Sequence, residues 1–238
     1  MKEEFIRTAL LLGEENVENL AKKRVAVFGI GGVGGFVVEA LARCGIGNLD
    51  LIDNDVVAKS NLNRQIVALN STLGKLKVEV MKERVLDINP SCNVKVYKCF
   101  YLPENKSKFD FTLYDYVVDA IDTVTGKISL VLQAFESKTP IISAMGAGNK
   151  LDPTMLEVSD IYKTSVCPLA RVMRNELKKH GIKNLKVVYS KEKPIKPIDN
   201  NCTKINANSR KITPGSISFV PSVAGLIIAG EIIKDFTS

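Results

Sequence analysis

The chain has 238 residues, 33 Lys and Arg against 26 Asp and Glu for a formal charge of +7, and a 45% hydrophobic composition. That length suits one α/β domain able to bury roughly 70% of its unfolded surface, with no second full domain required. Five cysteines without a C-x-x-C pair exclude a zinc ribbon and a thioredoxin-like site, and 6% aromatics without Trp exclude a stacking platform for single-stranded nucleic acid. An acidic start and the lack of any apolar run of spanning length argue against a signal peptide or a membrane anchor, so an intracellular, cytoplasmic protein is expected.

Glu4 to Leu20 places Phe5, Leu10, Leu11 and Leu12 ahead of Gly13, with Val17 and Leu20 behind it. This predicts two short helices broken at the glycine, an N-terminal arm over 1–22. Arg7 reads there as a surface charge on an amphipathic helix. Val25 to Phe28 is a continuous apolar run, the mark of a parallel strand buried on both faces. Gly29, Gly31 and Gly34, with Gly32 between, then show G-x-G-x-x-G spacing, in which missing side chains let main-chain N–H groups approach a phosphate. A helix over 33–44 with Val37, Ala40 and Leu41 inward leads to a strand from Asn48 to Asp53. Asp53 lies where a ribose hydroxyl acceptor belongs, and its competing reading is a turn aspartate.

Residues 54–65 are too rich in amide, acid and guanidinium groups to be core, and form a loop. Gly74 to Asn89 reads as a helix with Leu76, Val80 and Val85 inward. Lys77 in its first turn is opposed by the helix dipole, so it is either exposed or faces an anionic ligand. Strands follow over 94–97, 116–122 and 140–145, with Asp119 and Asp122 at the C-terminal end of the fourth strand, the edge where open α/β sheets bind ligands. Asp122 can otherwise cap a helix over 127–137. Gly146-Ala-Gly148 is a second small-residue approach. Strands over 155–158 and 186–189 flank a basic helix over 168–179, and His180, the only histidine, closes that helix and is not a base.

Lys191 to Pro214 is a polar, lysine-rich tract expected to stay mobile until bound, and Lys186, Lys191, Lys193 and Lys196 are the expected contacts for a polyanion. A strand over 216–219 and an apolar helix over 223–233 close the chain. The alternation from 24 to 145 predicts a doubly wound, mostly parallel α/β sheet of Rossmann-like type, in a single domain over 1–238.

A nicotinamide dehydrogenase would use the glycine turn and Asp53 but not Arg64, Gln65, Lys77 and Asp122 at one sheet edge. A triphosphate uses them all, because cations neutralise phosphate oxygens and an acid holds magnesium. No Walker A lysine follows the glycines, so Arg64 and Lys77 must reach the phosphates from elsewhere. ATP is the expected nucleotide.

Gly29-Ile-Gly-Gly-Val-Gly34, Leu51-Ile-Asp-Asn-Asp55, Ser60-Asn-Leu-Asn-Arg-Gln65, Gly74-Lys-Leu-Lys77 and Asp119-Ala-Ile-Asp122 together resemble the ubiquitin-activating-type (ThiF/MoeB-type) adenylating enzymes. Arg7 and Gly13 resemble their N-terminal arginine segment. The resemblance implies the ThiF/MoeB-type adenylation fold, ATP and magnesium, and activation of a carboxylate with release of pyrophosphate, after which a nucleophile displaces AMP. It makes Asp53 the ribose ligand, Asn61 and Arg64 phosphate contacts with Gln65 beside them, and Lys77 a phosphate clamp. Asp122 becomes the magnesium-side acid, and Arg7 an arginine finger from the partner subunit of a homodimer.

Ala40-Leu-Ala-Arg-Cys-Gly-Ile-Gly47, Asn63-Arg-Gln-Ile66, Ile88-Asn-Pro90 and Gly146-Ala-Gly148 narrow the resemblance to the branch that dehydrates threonylcarbamoyladenosine in tRNA. Such a substrate closes its own ring and carries its own nucleophile, in keeping with the lack of zinc cysteines. The tract after about 190 departs from that pattern. The alternative is adenylation of the C-terminal carboxylate of a ubiquitin-like sulfur carrier, with Cys167 or Cys202 as nucleophile, against incidental cysteines. A catalytically idle scaffold would have lost the cations. A monovalent cation, and cysteine desulfurase or sulfur-acceptor partners, stay open.

Overall fold

Val25 and Val27 turn to one face of the first strand and Ala26 and Phe28 to the other, and all four are fully buried. A strand of this kind needs helices on both sides. The computed structural model describes residues 2–196, 198 and 214–238. Its strands are β1 (Arg24–Phe28), β2 (Asn48–Ile52), β3 (Asn93–Tyr97), β4 (Tyr116–Asp119), β5 (Ile141–Ala144), β6 (Leu156–Asp160) and β7 (Lys186–Ser190). They form one sheet in the order β3-β2-β1-β4-β5-β7-β6. Every neighbouring pair is parallel except β6 with β7.

The helices are α1 (Ile6–Leu12), α2 (Glu14–Leu20), α3 (Gly34–Arg43), α4 (Lys77–Ile88), α5 (Val124–Ser137), α6 (Pro168–Lys179) and α7 (Phe219–Thr237). Val25 and Val27 pack with α3, α4 and α7. Ala26 and Phe28 pack with α5, α6 and the connection after β3, where Tyr101 and Phe109 meet the Phe28 ring edge-on at 5.0 and 5.2 Å. The doubly wound, mostly parallel α/β fold expected from the sequence is therefore present. Among the described residues no helix is long and apolar enough to cross a membrane.

The N-terminal arm forms as two helices meeting at Gly13. Phe5 packs its ring on Gly45, in the connection from α3 to β2, at the edge where the strands begin.

Several boundaries differ from expectation: α4 begins at Lys77 and not at Gly74, and β6 runs over Leu156–Asp160 in place of 155–158. The fourth strand ends at Asp119, so Asp122 lies in the following turn, and α5 begins at Val124, earlier than 127. The short strand over 216–219 does not form, and α7 starts at Phe219, four residues before the expected 223. Pro221 is compatible with the earlier start, because in a first helical turn its missing N–H has no intrahelical partner to lose. Most of the tract over 191–214, and Cys202 with it, lies outside the described residues.

One buried acid binds two helices together. Glu39 of α3 accepts from Arg84 of α4 at 2.6 and 3.1 Å and from Arg43 at 2.8 Å. Burial works to raise its pKa, but the hydrogen bonds and charges of Arg84 and Arg43 outweigh this and hold it below the ordinary 4.5. The stabilisation is thus complete above that range and is lost as the pH falls through the lowered folded value. Glu39→Gln is expected to cost about 1 kcal/mol at pH 7, allowing for screening at the exposed guanidiniums. Denaturant unfolding at pH 7 and pH 3 checks this, because the gap between wild type and variant should narrow at the lower pH.

Candidate active site

The strand order reverses between β1 and β4, and a cleft opens there at the C-terminal ends of the strands. It encloses about 480 Å³, within the range of small-molecule sites. One wall comes from the glycine turn after β1, the end of β2 and the loop before α4. The other comes from 120–123, 144–148, Leu169 and 214–216.

The glycines fall into two kinds. Gly29 adopts φ +91°, and a Cβ there would stand 2.6 Å from Ala120 O, so only glycine lets the turn close on the β4 end. A Cβ on Gly34 would stand 1.8 Å from Gly29 O. Gly29, Gly31 and Gly32 line the cleft, while Gly34, expected among the binding glycines, sits behind the turn as the first residue of α3.

Asp53 follows β2 and ties the site together. Its Oδ2 accepts from Ile30 N–H in the glycine turn at 2.7 Å and its Oδ1 from Asp55 N–H at 2.8 Å. The turn-aspartate reading describes the second bond, and the carboxylate still lines the cleft with lone pairs to spare.

Asn61, Arg64 and Gln65 come from the loop, where a short 3₁₀ turn over Lys59–Asn61 turns them to the cleft. Arg64 Nη1 donates to Ser60 O at 2.9 Å and to Asn63 Oδ1 at 2.8 Å, which fixes its guanidinium. Gln65 is 9% exposed, and its Oε1 is buried with no hydrogen-bond partner among the described residues. Thr123 Oγ1, across the cleft, is the other such atom.

Lys77 is not an exposed lysine. It is 4% exposed, opens α4, and its Nζ bonds Asp55 Oδ2 at 2.7 Å. Asp55 supplies the anion that the position demands, a partner the sequence reading did not single out. Asp122 is exposed at the cleft with no side-chain hydrogen bond among the described residues, so it does not cap α5.

Magnesium prefers oxygen ligands and usually takes one or two carboxylates plus phosphates. The donors here fit that pattern, since Asp122, Gln65 Oε1 and Thr123 Oγ1 are oxygens on one cleft. No cluster of three or more His, Cys, Asp or Glu among the described residues would cage a metal without a phosphate.

Arg7 does not line the cleft. It is exposed on α1, whose neighbour Phe5 packs at the opposite edge of the sheet. His180 ends α6 as expected. Lys186, at the start of β7, bonds Asp235 at 2.7 Å, and Lys191 pairs with Glu157. Lys193 and Lys196 are exposed.

Among the described cysteines Cys99 alone lines the cleft. Burial raises its pKa, and that of Cys92 to about 11, which disfavours the thiolate. Cys167 is buried, close behind Gly146 of the cleft wall.

The ThiF family model matches residues 5–237. A tRNA threonylcarbamoyladenosine dehydratase of Bacillus subtilis (strain 168) is 46% identical over 244 aligned residues, spanning 99% of this chain and 95% of its own length. The enzyme of that name from Escherichia coli (strain K12) is 44% identical over 177 residues, 74% of this chain and 66% of its own. Among solved structures, E. coli tRNA N6-threonylcarbamoyladenosine dehydratase, TcdA, in complex with ATP matches with a TM-score of 0.89 at 37% identity, covering 98% of this chain and 93% of that one.

The two kinds of glycine should separate by experiment. Gly34→Ala is expected to cost about 3 kcal/mol through overpacking and to lower ATP affinity with it. Gly31→Ala, whose new Cβ would find Gln65 Nε2 at a comfortable 3.8 Å, should keep wild-type stability and lose ATP affinity alone. Thermal unfolding and ATP titration of both variants read the difference.

Proposed function

The chain belongs to the ThiF family, and from that premise we propose that it is an ATP-dependent dehydratase of threonylcarbamoyladenosine in tRNA. The carboxylate of the threonylcarbamoyl group attacks the α-phosphorus of ATP and pyrophosphate leaves. An atom of the same side chain then attacks the acyl adenylate, loses a proton and expels AMP, so the ring closes with net loss of water. The observation that carries the reading is the single cleft in which Asp53, Arg64, Lys77 and Asp122 face one another beside the glycine turn. Near-complete coverage of the 46% identical B. subtilis enzyme supports the substrate.

In this reading Asp53 takes the ribose hydroxyls, and the glycine-turn amides with Asn61, Arg64 and Gln65 take phosphate oxygens. Lys77 exchanges Asp55 for phosphate. Adenylation spreads charge over a five-coordinate phosphorus, so fixed cations matter more than a proton-transferring base. Asp122 would hold a magnesium ion together with the phosphates, and that ion would supply further charge neutralisation. The absence of a histidine near the cleft costs nothing, because the nucleophile comes with the substrate. A sulfur-carrier activator would want a thiol at the site, and among the described residues the raised pKa of Cys99 and the burial of Cys167 disfavour one.

The tRNA reaches the cleft past Lys193 and Lys196, and a tRNA substrate implies a cytoplasmic location. The whole chain, 1–238, acts as one adenylation domain. Arg7 serves the cleft of a second copy: it lies at the far edge from its own cleft, beside Ile6, Leu10 and Leu11, exposed at 48, 81 and 88%. Such an apolar surface suits a symmetric dimer.

AMP release from ATP should require tRNA carrying threonylcarbamoyladenosine. Equal release with unmodified tRNA, or tight NAD binding in place of ATP, removes the reading. Asp53→Ala should weaken ATP binding by about 1.5–3 kcal/mol, the worth of a charged hydrogen bond, whereas Asp122→Ala should depress turnover at saturating ATP.

Arg7→Ala and Asp122→Ala should each be nearly inactive, an arginine finger being worth about a thousandfold or more. Refolded together in equal amounts, half the dimers are mixed, each with one intact site, so about a quarter of wild-type sites should return. No recovery after proven subunit exchange would mean that Arg7 does not act across a dimer.

A further inference from the structure

Beneath the cleft lies a charge pair that the proposed reaction leaves unused. Asp119, the last residue of β4, and Lys127, near the start of α5, have fully buried side chains, with Lys127 Nζ 3.0 Å from Asp119 Oδ1. Ser143 of β5 donates its hydroxyl to Asp119 Oδ2. A buried ion pair is a weak stabiliser, since neutral groups of similar volume often serve as well or better. Its place in the chain is more informative.

Between its two members the backbone makes the turn that carries Asp122, and Lys127 grips both ends of that turn. Its Nζ holds Asp119, and its main-chain N–H donates to Thr123 O at 2.9 Å. Ile121 N–H, inside the turn, lies 3.4 Å from Asp119 Oδ1. On one side Ala120 N–H donates to Phe28 O at 2.8 Å, at the entry to the glycine turn. On the other, Ser143 ties Asp119 to the strand that leads into the Ala144–Met145 wall. The 120–123 turn and the strand leading into the 144–148 wall therefore share one buried carboxylate, and Lys127 pairs with it.

We propose that Lys127 is a positioning residue: through Asp119 it fixes the turn that presents the Asp122 carboxylate to the reacting phosphates, so the buried pair sets turnover more than nucleotide affinity. The inference rests on the adenylation reading for what Asp122 does. The ribose end of the nucleotide is gripped at Asp53, outside this turn, so loosening 120–123 leaves most ATP contacts in place. Displacing a reacting group by about 1 Å, in contrast, can cost about a hundredfold in rate.

The test is the neutral pair Asp119→Asn with Lys127→Met, which keeps both side-chain shapes. AMP formation at saturating ATP and modified tRNA should fall about tenfold or more, with the Kd for ATP within about threefold of wild type. Asp122→Asn added to the neutral pair should cost much less than in the native background, because one geometry is being lost twice. Amide hydrogen exchange over 120–126 should rise while that over 24–34 holds. Wild-type turnover in the folded variant, or a fully additive loss with Asp122→Asn, overturns the proposal.

If the neutral pair does not fold, Ser143→Ala, which removes one bond to Asp119, takes its place. Lower turnover with unchanged ATP affinity and faster exchange supports the proposal, and unchanged turnover and exchange overturn it. A wild-type protein that makes no AMP with modified tRNA sinks the proposed function instead, and exchange over 120–126 then decides by itself whether the pair pins the turn.

Discussion

The site depends on two stretches of main chain that approach with no side chain between them. The turn after β1 presses Gly29 against the Ala120 carbonyl and folds Gly34 back over Gly29. That contact joins the C-terminal ends of β1 and β4 at the point where the sheet changes direction. It opens the start of α3 toward the cleft, and it holds the Asp122 turn opposite Asp53. A single added methyl group would separate these features, and no flexible neighbour is available to yield, because both close contacts are to backbone oxygens.

Electrostatics build on that frame. A cation that must swing in from water to meet a transition state spends part of its binding on reorganisation, whereas a cation already fixed does not. Arg64 is fixed by Ser60 O and Asn63 Oδ1, and Lys77 by Asp55. These restraints differ in kind. Arg64 keeps donors free beyond its two bonds, since a guanidinium has five. Lys77 is held instead by a carboxylate, and in the proposed reaction a phosphate of ATP takes the place of that anion. The formal +7 of the chain says nothing about this arrangement; the pairings do.

Much of the fold was legible because its signals are local. A run such as Val25 to Phe28 followed by spaced glycines leaves little choice of structure, and Asn48 to Ile52 repeats the pattern. Most of the polar residues that meet at the cleft were legible for a related reason, being groups that a sheet edge does not need for stability. What escaped was long-range pairing. Nothing adjacent to Lys77 announces Asp55, twenty-two positions earlier, and nothing adjacent to Lys127 announces Asp119, eight positions earlier. Gly34 escaped in the opposite sense: its spacing marked it as a phosphate contact, and its close approach to Gly29 makes it a packing residue.

The cleft also divides the chain by task. Residues 29–77 supply the glycine turn, Asp53, Arg64 and Lys77, all lining the cleft. The opposite wall draws on 144–148, Leu169, 214–216 and Pro221, and the first and third of these segments are tied together at Asn149. Its carbonyl accepts from Ile195 N–H at 2.8 Å, its N–H donates to Gly215 O at 2.7 Å, and its side-chain oxygen accepts from Gly215 N–H at 2.6 Å. A single residue in the left-handed region, at φ +57°, thus joins the wall to both flanks of the basic tract. Lys193 and Lys196 stand on one of those flanks, whereas Lys186 lies at the far end of β7, in ion pairs with Glu231 and Asp235. Basic charge is useful to a polyanionic substrate only where the reacting group must enter. By that criterion the proposed function assigns tRNA entry to the flank of the tract nearest Asn149 and not to the summed charge of the chain.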